Sequence, residues 1–122
     1  MRKVLQCSTV LALAITPLVS FAAFQQQQFQ EAPLLDGGGC ATRTFTRGIG
    51  AGFNSVAVAL AGFSSTFTSS DHHITRESAR ISGFSYNKST GNLAVTFEVC
   101  HHDQNSDDSF NWFVRYTVLK EV

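Results

Sequence analysis

The sequence predicts an all-β fold, an antiparallel β-sandwich of about six strands. Apolar and polar residues alternate with period two in five or six runs at regular spacing. Gly, Ser, Thr and Asn cluster between those runs, as turns require. No stretch carries a convincing amphipathic helix, and no internal repeat is visible.

Residues 1–22 have the layout of a secretory signal. Arg2 and Lys3 make a positive start, Val4 to Val19 is largely apolar, and Ser20-Phe21-Ala22 offers small residues at the −3 and −1 positions. Cleavage after Ala22 leaves 100 of the 122 residues, one domain's worth. It also lowers the basic count from 9 to 7 against 9 acidic residues, a net charge of −2. That balance gives no electrostatic reason to bind nucleic acid or anionic lipid. No later run is long enough to span a bilayer, so a secreted or periplasmic product without membrane insertion is expected. Cys7 leaves with the signal. The remaining pair, Cys40 and Cys100, favours one internal disulfide in an oxidising compartment, with two inert thiols or a bridge between chains as the alternatives.

Residues 23–39 hold the run Gln25 to Gln28 and the triplet Gly37-Gly38-Gly39, with no periodic apolar pattern. Such a segment buries too little to order itself, so it is expected to be a flexible arm that adds at most a short edge strand or a partner contact. The folded domain is expected over 40–122. Arg43, Phe45, Arg47 and Ile49 alternate with Thr44, Thr46 and Gly48, a Thr-rich strand signal. Phe53 to Phe63 places Val56, Val58 and Leu60 on one face and Ala57, Ala59 and Ala61 on the other. Alanine there suggests close approach by a second layer or a neighbouring subunit. Ser64 to Ser70 reads as a loop. From Ile74 to Tyr86, Ala79 and Ile81 face one way, and Arg80, Phe84 and Tyr86 the other. Asn87 to Asn92 is turn chemistry.

The closing stretch, Asn92 to Leu119, reads as a hairpin. Leu93, Val95, Phe97 and Val99 alternate with Ala94, Thr96 and Glu98. In the second strand Phe110, Trp112, Val114, Tyr116 and Val118 share a face opposite Asn111, Arg115 and Thr117. Phe113 and Leu119 interrupt that polar face, which implies cover on parts of both sides. Trp112, Phe63, Phe84 and Phe97 are expected in the core. The polar stretch Cys100 to Ser109 between the strands is a candidate wall of a binding site.

The order of these features resembles the H-type lectin domain, the fold of small invertebrate agglutinins and discoidin-like proteins. The likeness covers about Phe45 to Leu119. It rests on Phe53-Asn-Ser-Val-Ala-Val-Ala-Leu60, Glu77-Ser-Ala-Arg-Ile-Ser82, Thr90-Gly91, the polar run His101-His102-Asp103, and the closing Phe110-Asn-Trp-Phe-Val-Arg-Tyr116. The resemblance implies a compact β-sandwich, often a trimer, that binds galactose or N-acetylgalactosamine near subunit boundaries. Cys40 and Cys100 look like the disulfide pair of some members. Arg80 stands where the family's strand arginine stands, and His101-His102 where its aromatic-histidine pair stands, with His101 replacing the aromatic. Asp36 is the candidate for the family's N-terminal carboxylate.

The chemistry suits that expectation. Arginine supplies fixed donors, carboxylates accept, and neutral histidine does either, so Arg80, His101, His102, Asp103 and Asp36 could engage a glycan's hydroxyls. The bland alternative for Arg80 is an exposed strand residue paired with Glu77 or Glu98. For the histidines it is a solvated loop. Asp103 to Asp108 resembles the first half of a calcium loop, but Asp108 replaces the glycine at position six and Val114 the glutamate at position twelve, which excludes an EF-hand. His72, His73, His101 and His102 could hold a transition metal only if their loops met, and adjacent strand residues point opposite ways. No G-x-S-x-G, H-E-x-x-H, phosphate loop or reactive-cysteine signature is present, so neither an enzyme nor a cofactor is expected. Three function classes stand: a multivalent carbohydrate-binding module acting as a homo-oligomer, a non-catalytic assembly module on the same fold, or, less favoured, a metal-dependent surface binder.

Overall fold

The computed structural model describes residues 22–33, 39–67, 74–103 and 110–122. Residues 1–21, Asp36, His72, His73 and the 104–109 stretch lie outside them. The described residues form six antiparallel strands: β1 (Phe24–Glu31), β2 (Gly39–Gly48), β3 (Ser55–Phe67), β4 (Ile74–Asn87), β5 (Asn92–Asp103) and β6 (Phe110–Glu121). They make two three-stranded sheets, ordered β1-β6-β3 and β2-β5-β4. The fold is the β-sandwich that the alternation predicts.

The two most regular apolar alternations occupy the two central strands. On β5, Leu93, Val95, Phe97 and Val99 are buried; on β6, Trp112, Val114, Tyr116 and Val118 are. Period two puts each set on one face of its strand, and burying each large side chain is worth roughly 1.5–3 kcal/mol. The two faces meet across the sandwich, with the Phe97 and Tyr116 rings 5.3 Å apart. The expected closing hairpin is therefore not a hairpin. Strands β5 and β6 centre different sheets, and each has its hydrogen-bonding edges filled by two other strands. The hairpin is β4–β5, joined by the turn at 88–91.

Three further readings are corrected. Residues 24–31 are not a free arm but an edge strand in continuous register with β6, from Phe24 opposite Glu121 to Glu31 opposite Val114. A register shift between Ile81 and Gly83 flips the parity of β4, so Phe84 and Tyr86 pair with Val95 and Leu93 and share the inward side with Ala79 and Ile81. Phe97 is core as expected, but Phe63 and Phe84 lie on edge strands and stay 40% and 45% exposed.

Polar contacts fasten the two layers to each other. The Glu31 carboxylate, buried at the end of β1, accepts from Arg47 Nε at 2.6 Å, from Arg47 Nη2 at 2.7 Å and from the Tyr116 hydroxyl at 3.2 Å. This links β1 and β6 of one sheet to β2 of the other. Ser65 on β3 donates to Glu77 on β4 at 2.5 Å. At one end, Lys120 donates to Gln27 and to the Ile49 carbonyl and sits 4.8 Å from the centre of the Phe53 ring. There Gly91 has a φ of +76° and lies so close to Gly50 that an added Cβ would fall 2.5 Å from its carbonyl carbon. Only glycine satisfies both demands. Cys40 and Cys100 are direct cross-strand partners on β2 and β5 and form the internal disulfide.

Candidate ligand-binding face

Because the odd residues of β5 fill the core, its even residues must face out. Ala94, Thr96, Glu98, Cys100 and His102 form the spine of the outer face of the β2-β5-β4 sheet. The register adds neighbours to each. Arg80 and Thr42 flank Glu98, Ser78 and Cys40 flank Cys100, and Arg76 stands opposite His102. Thr44 and Thr96 share a hydroxyl hydrogen bond of 2.8 Å, and Ser82 donates to the Thr96 carbonyl at 3.3 Å. The face is a polar surface rich in hydroxyls, crossed between Glu98 and His102 by the disulfide.

Arg80 is an exposed charged group on it, at 69%. Its Nε and Nη2 donate to the two Glu98 carboxylate oxygens at 2.8 and 3.1 Å. This fork holds the Glu98 carboxyl below the usual carboxylate range and pushes the Arg80 guanidinium higher still. Glu98 is thus an ionised acceptor well into mildly acidic solution. Nη1 of Arg80 is not engaged by the described residues. The pair offers donor and acceptor side by side, the arrangement a vicinal diol meets well.

His102 is exposed on the same face. It lies four residues along β5 from Glu98, about 13 Å at ordinary strand rise. Arg80 and His102 therefore cannot grip one monosaccharide together, but both lie within the length of a short oligosaccharide. His101 points the other way. It is fully buried on the core side, between Gly39 and Glu77 in register. Asp103 ends β5, its backbone opposite Ile74, and its side chain is outside the described set. Of the five residues expected in the site, the structure brings Arg80 and His102 onto one face, turns His101 into the core, and describes neither side chain of the acidic pair Asp36 and Asp103.

Arg76 was not anticipated. It shares parity with Arg80 in Arg76-Glu-Ser-Ala-Arg80, and that four-residue spacing was the available signal. A cavity of about 380 Å³ on the opposite sheet also escaped the sequence. It is lined by Gln28, Phe29, Gln30, Ala61, Arg115 and Tyr116. Small residues at 61 and 62 leave this space beside Arg115, and nothing local marks it. Among the described residues no group of three potential ligands could hold a metal ion, and no helix is long and apolar enough to cross a membrane.

No family model, curated protein or solved structure matches the chain.

Proposed function

We propose that this domain is an exported, non-catalytic carbohydrate-binding module that holds galactose- or N-acetylgalactosamine-type glycans on the outer face of the β2-β5-β4 sheet. One observation carries the reading: the solvent-facing Arg80–Glu98 fork, with hydroxyls beside it and Arg76 and His102 farther along the same face. The likeness to H-type lectins, in which a strand arginine and a loop histidine hold the sugar, supports the same assignment. Arg80 and Glu98 make the primary subsite; His102 and Arg76 extend it to a second sugar. Each hydrogen bond exchanges with water at little net gain, so a single site is weak and several copies must act together.

The test is a glycan array probed with the chain from Ala23 to Val122, alone and as Arg80→Ala. Retention on terminal galactose or N-acetylgalactosamine, lost in the variant while the fold is kept, is the expected result. A blank from folded protein would reject sugar binding. It would favour the second reading, an assembly module, for which the specific observation is the other outer face. There Ala57, Ala59 and Ala61 on β3 and Leu119 on β6 stand exposed, which permits close approach by another layer.

A further inference from the structure

Every open sheet has edges that must not pair with strangers, and the four edge strands here are treated unequally. Strand β3 carries a register shift between Leu60 and Gly62, and β4 carries two, at Ile74/Arg76 and Ile81/Gly83. Such bulges twist an edge away from flat pairing. Strand β2 has no shift but carries Arg43 and Arg47. Strand β1 has none of these devices. Its register with β6 is unbroken over eight residues, it contains no proline, and Phe24 to Gln30 bears no charge. Five of those seven residues are glutamine, whose amides both donate and accept and stack in ladders between identical strands.

We propose that β1 is a self-association edge, and that two copies of this chain pair β1 against β1 about a two-fold axis. The two three-stranded sheets then become one continuous sheet ordered β3-β6-β1-β1-β6-β3. The register follows from parity. An axis perpendicular to the sheet keeps each outer face on the same side, so outward residues must pair with outward ones. Placing Gln27 opposite its own copy meets that condition and sets Gln26 against Gln28 and Phe24 against Gln30. It uses the uncharged seven residues and leaves Glu31 to its contacts with Arg47 and Tyr116. A shift by two one way would draw Glu31 into the seam and the other way would shorten the seam to Phe24–Gln28, while a shift by one would set inward against outward side chains. The sugar face on the other sheet stays open, so each dimer presents two such faces.

The test is sedimentation of the chain, purified from an oxidising compartment, over a concentration series. The expected result is a reversible monomer–dimer equilibrium. Gln26 and Gln28 are exposed, so the double variant Gln26→Lys/Gln28→Lys should keep the fold, as its circular dichroism and melting would show, and sediment as a monomer. In the pairing proposed, Gln26→Lys/Gln28→Glu sets each lysine opposite a glutamate and should restore the dimer. A wild-type chain that stays monomeric to millimolar concentration overturns the proposal, as does a trimer. A dimer that survives the double lysine variant overturns it too, and a folded Lys/Glu variant that remains monomeric overturns the register.

Discussion

Glu31 shows how one residue can decide the fate of a segment. It is 5% exposed, and a carboxylate so placed is tolerable only when its oxygens are filled. Arg47 fills both, and Tyr116 adds a third contact. Glu31→Gln removes the charge that the fork was built around and should lower the melting midpoint by several degrees, read by calorimetry. Tyr116 carries a second consequence. Burial, reinforced by the Glu31 charge, pushes its phenol up to about 12. A folded-state value above the ordinary one near 10 means the neutral form is favoured by folding. Its contribution is fully present below pH 10 and is lost as pH rises from about 10 to about 12. Phenolate absorbance of a Tyr86→Phe variant, which leaves Tyr116 as the chain's one tyrosine, should show ionisation near 12 until the protein unfolds. Nothing in the sequence linked Glu31 to Arg47; the pairing exists only because β1 and β2 belong to different layers.

At the scale of elements, the reading succeeded wherever side-chain parity was the deciding physics. Strands β5 and β6 and their core residues were legible because a strand's apolar face has nowhere to go but inward. The same parity, carried past Cys100, would have turned His101 inward; treating the polar run as a loop concealed this. Strand β1 was foreseen only as an optional short edge strand on a flexible arm, for the opposite reason. Glutamines give no apolar period, and that strand is held by backbone pairing to β6, which composition does not encode. The flip at Ser82 was hidden as well, since a bulge changes parity without a distinctive residue. Two devices at this scale can be probed. Gly91→Ala meets both the positive φ and the backbone of Gly50, and should cost more than about 1 kcal/mol in denaturant unfolding. The Cys40–Cys100 bridge closes a separation of 60 residues, so Cys40→Ser/Cys100→Ser should lower stability by up to about 4 kcal/mol on the chain-entropy model.

For the molecule as a whole, the two sheets divide the surface. One outer face is polar, tied by the disulfide and set with the Arg80–Glu98 fork; the other shows alanines, glutamines and an edge without protection. We propose that the first meets the glycan and the second organises copies of the chain, which is the division a weak multivalent binder needs. The candidate face was half legible. Arg80 and His102 were named from the sequence, and Glu98 only as an ion-pair partner of Arg80, a pairing the structure shows; the place of Arg76 emerged only from register. The most direct measurement is backbone-amide NMR of the isotopically labelled chain titrated with N-acetylgalactosamine and a short galactoside. The predicted result is saturable shifts confined to Thr42, Ser78, Arg80, Glu98 and their neighbours, extending to Arg76 and His102 with the longer ligand. Shifts centred instead on Gln28, Gln30 and Arg115, or none at saturating sugar, would contradict the account.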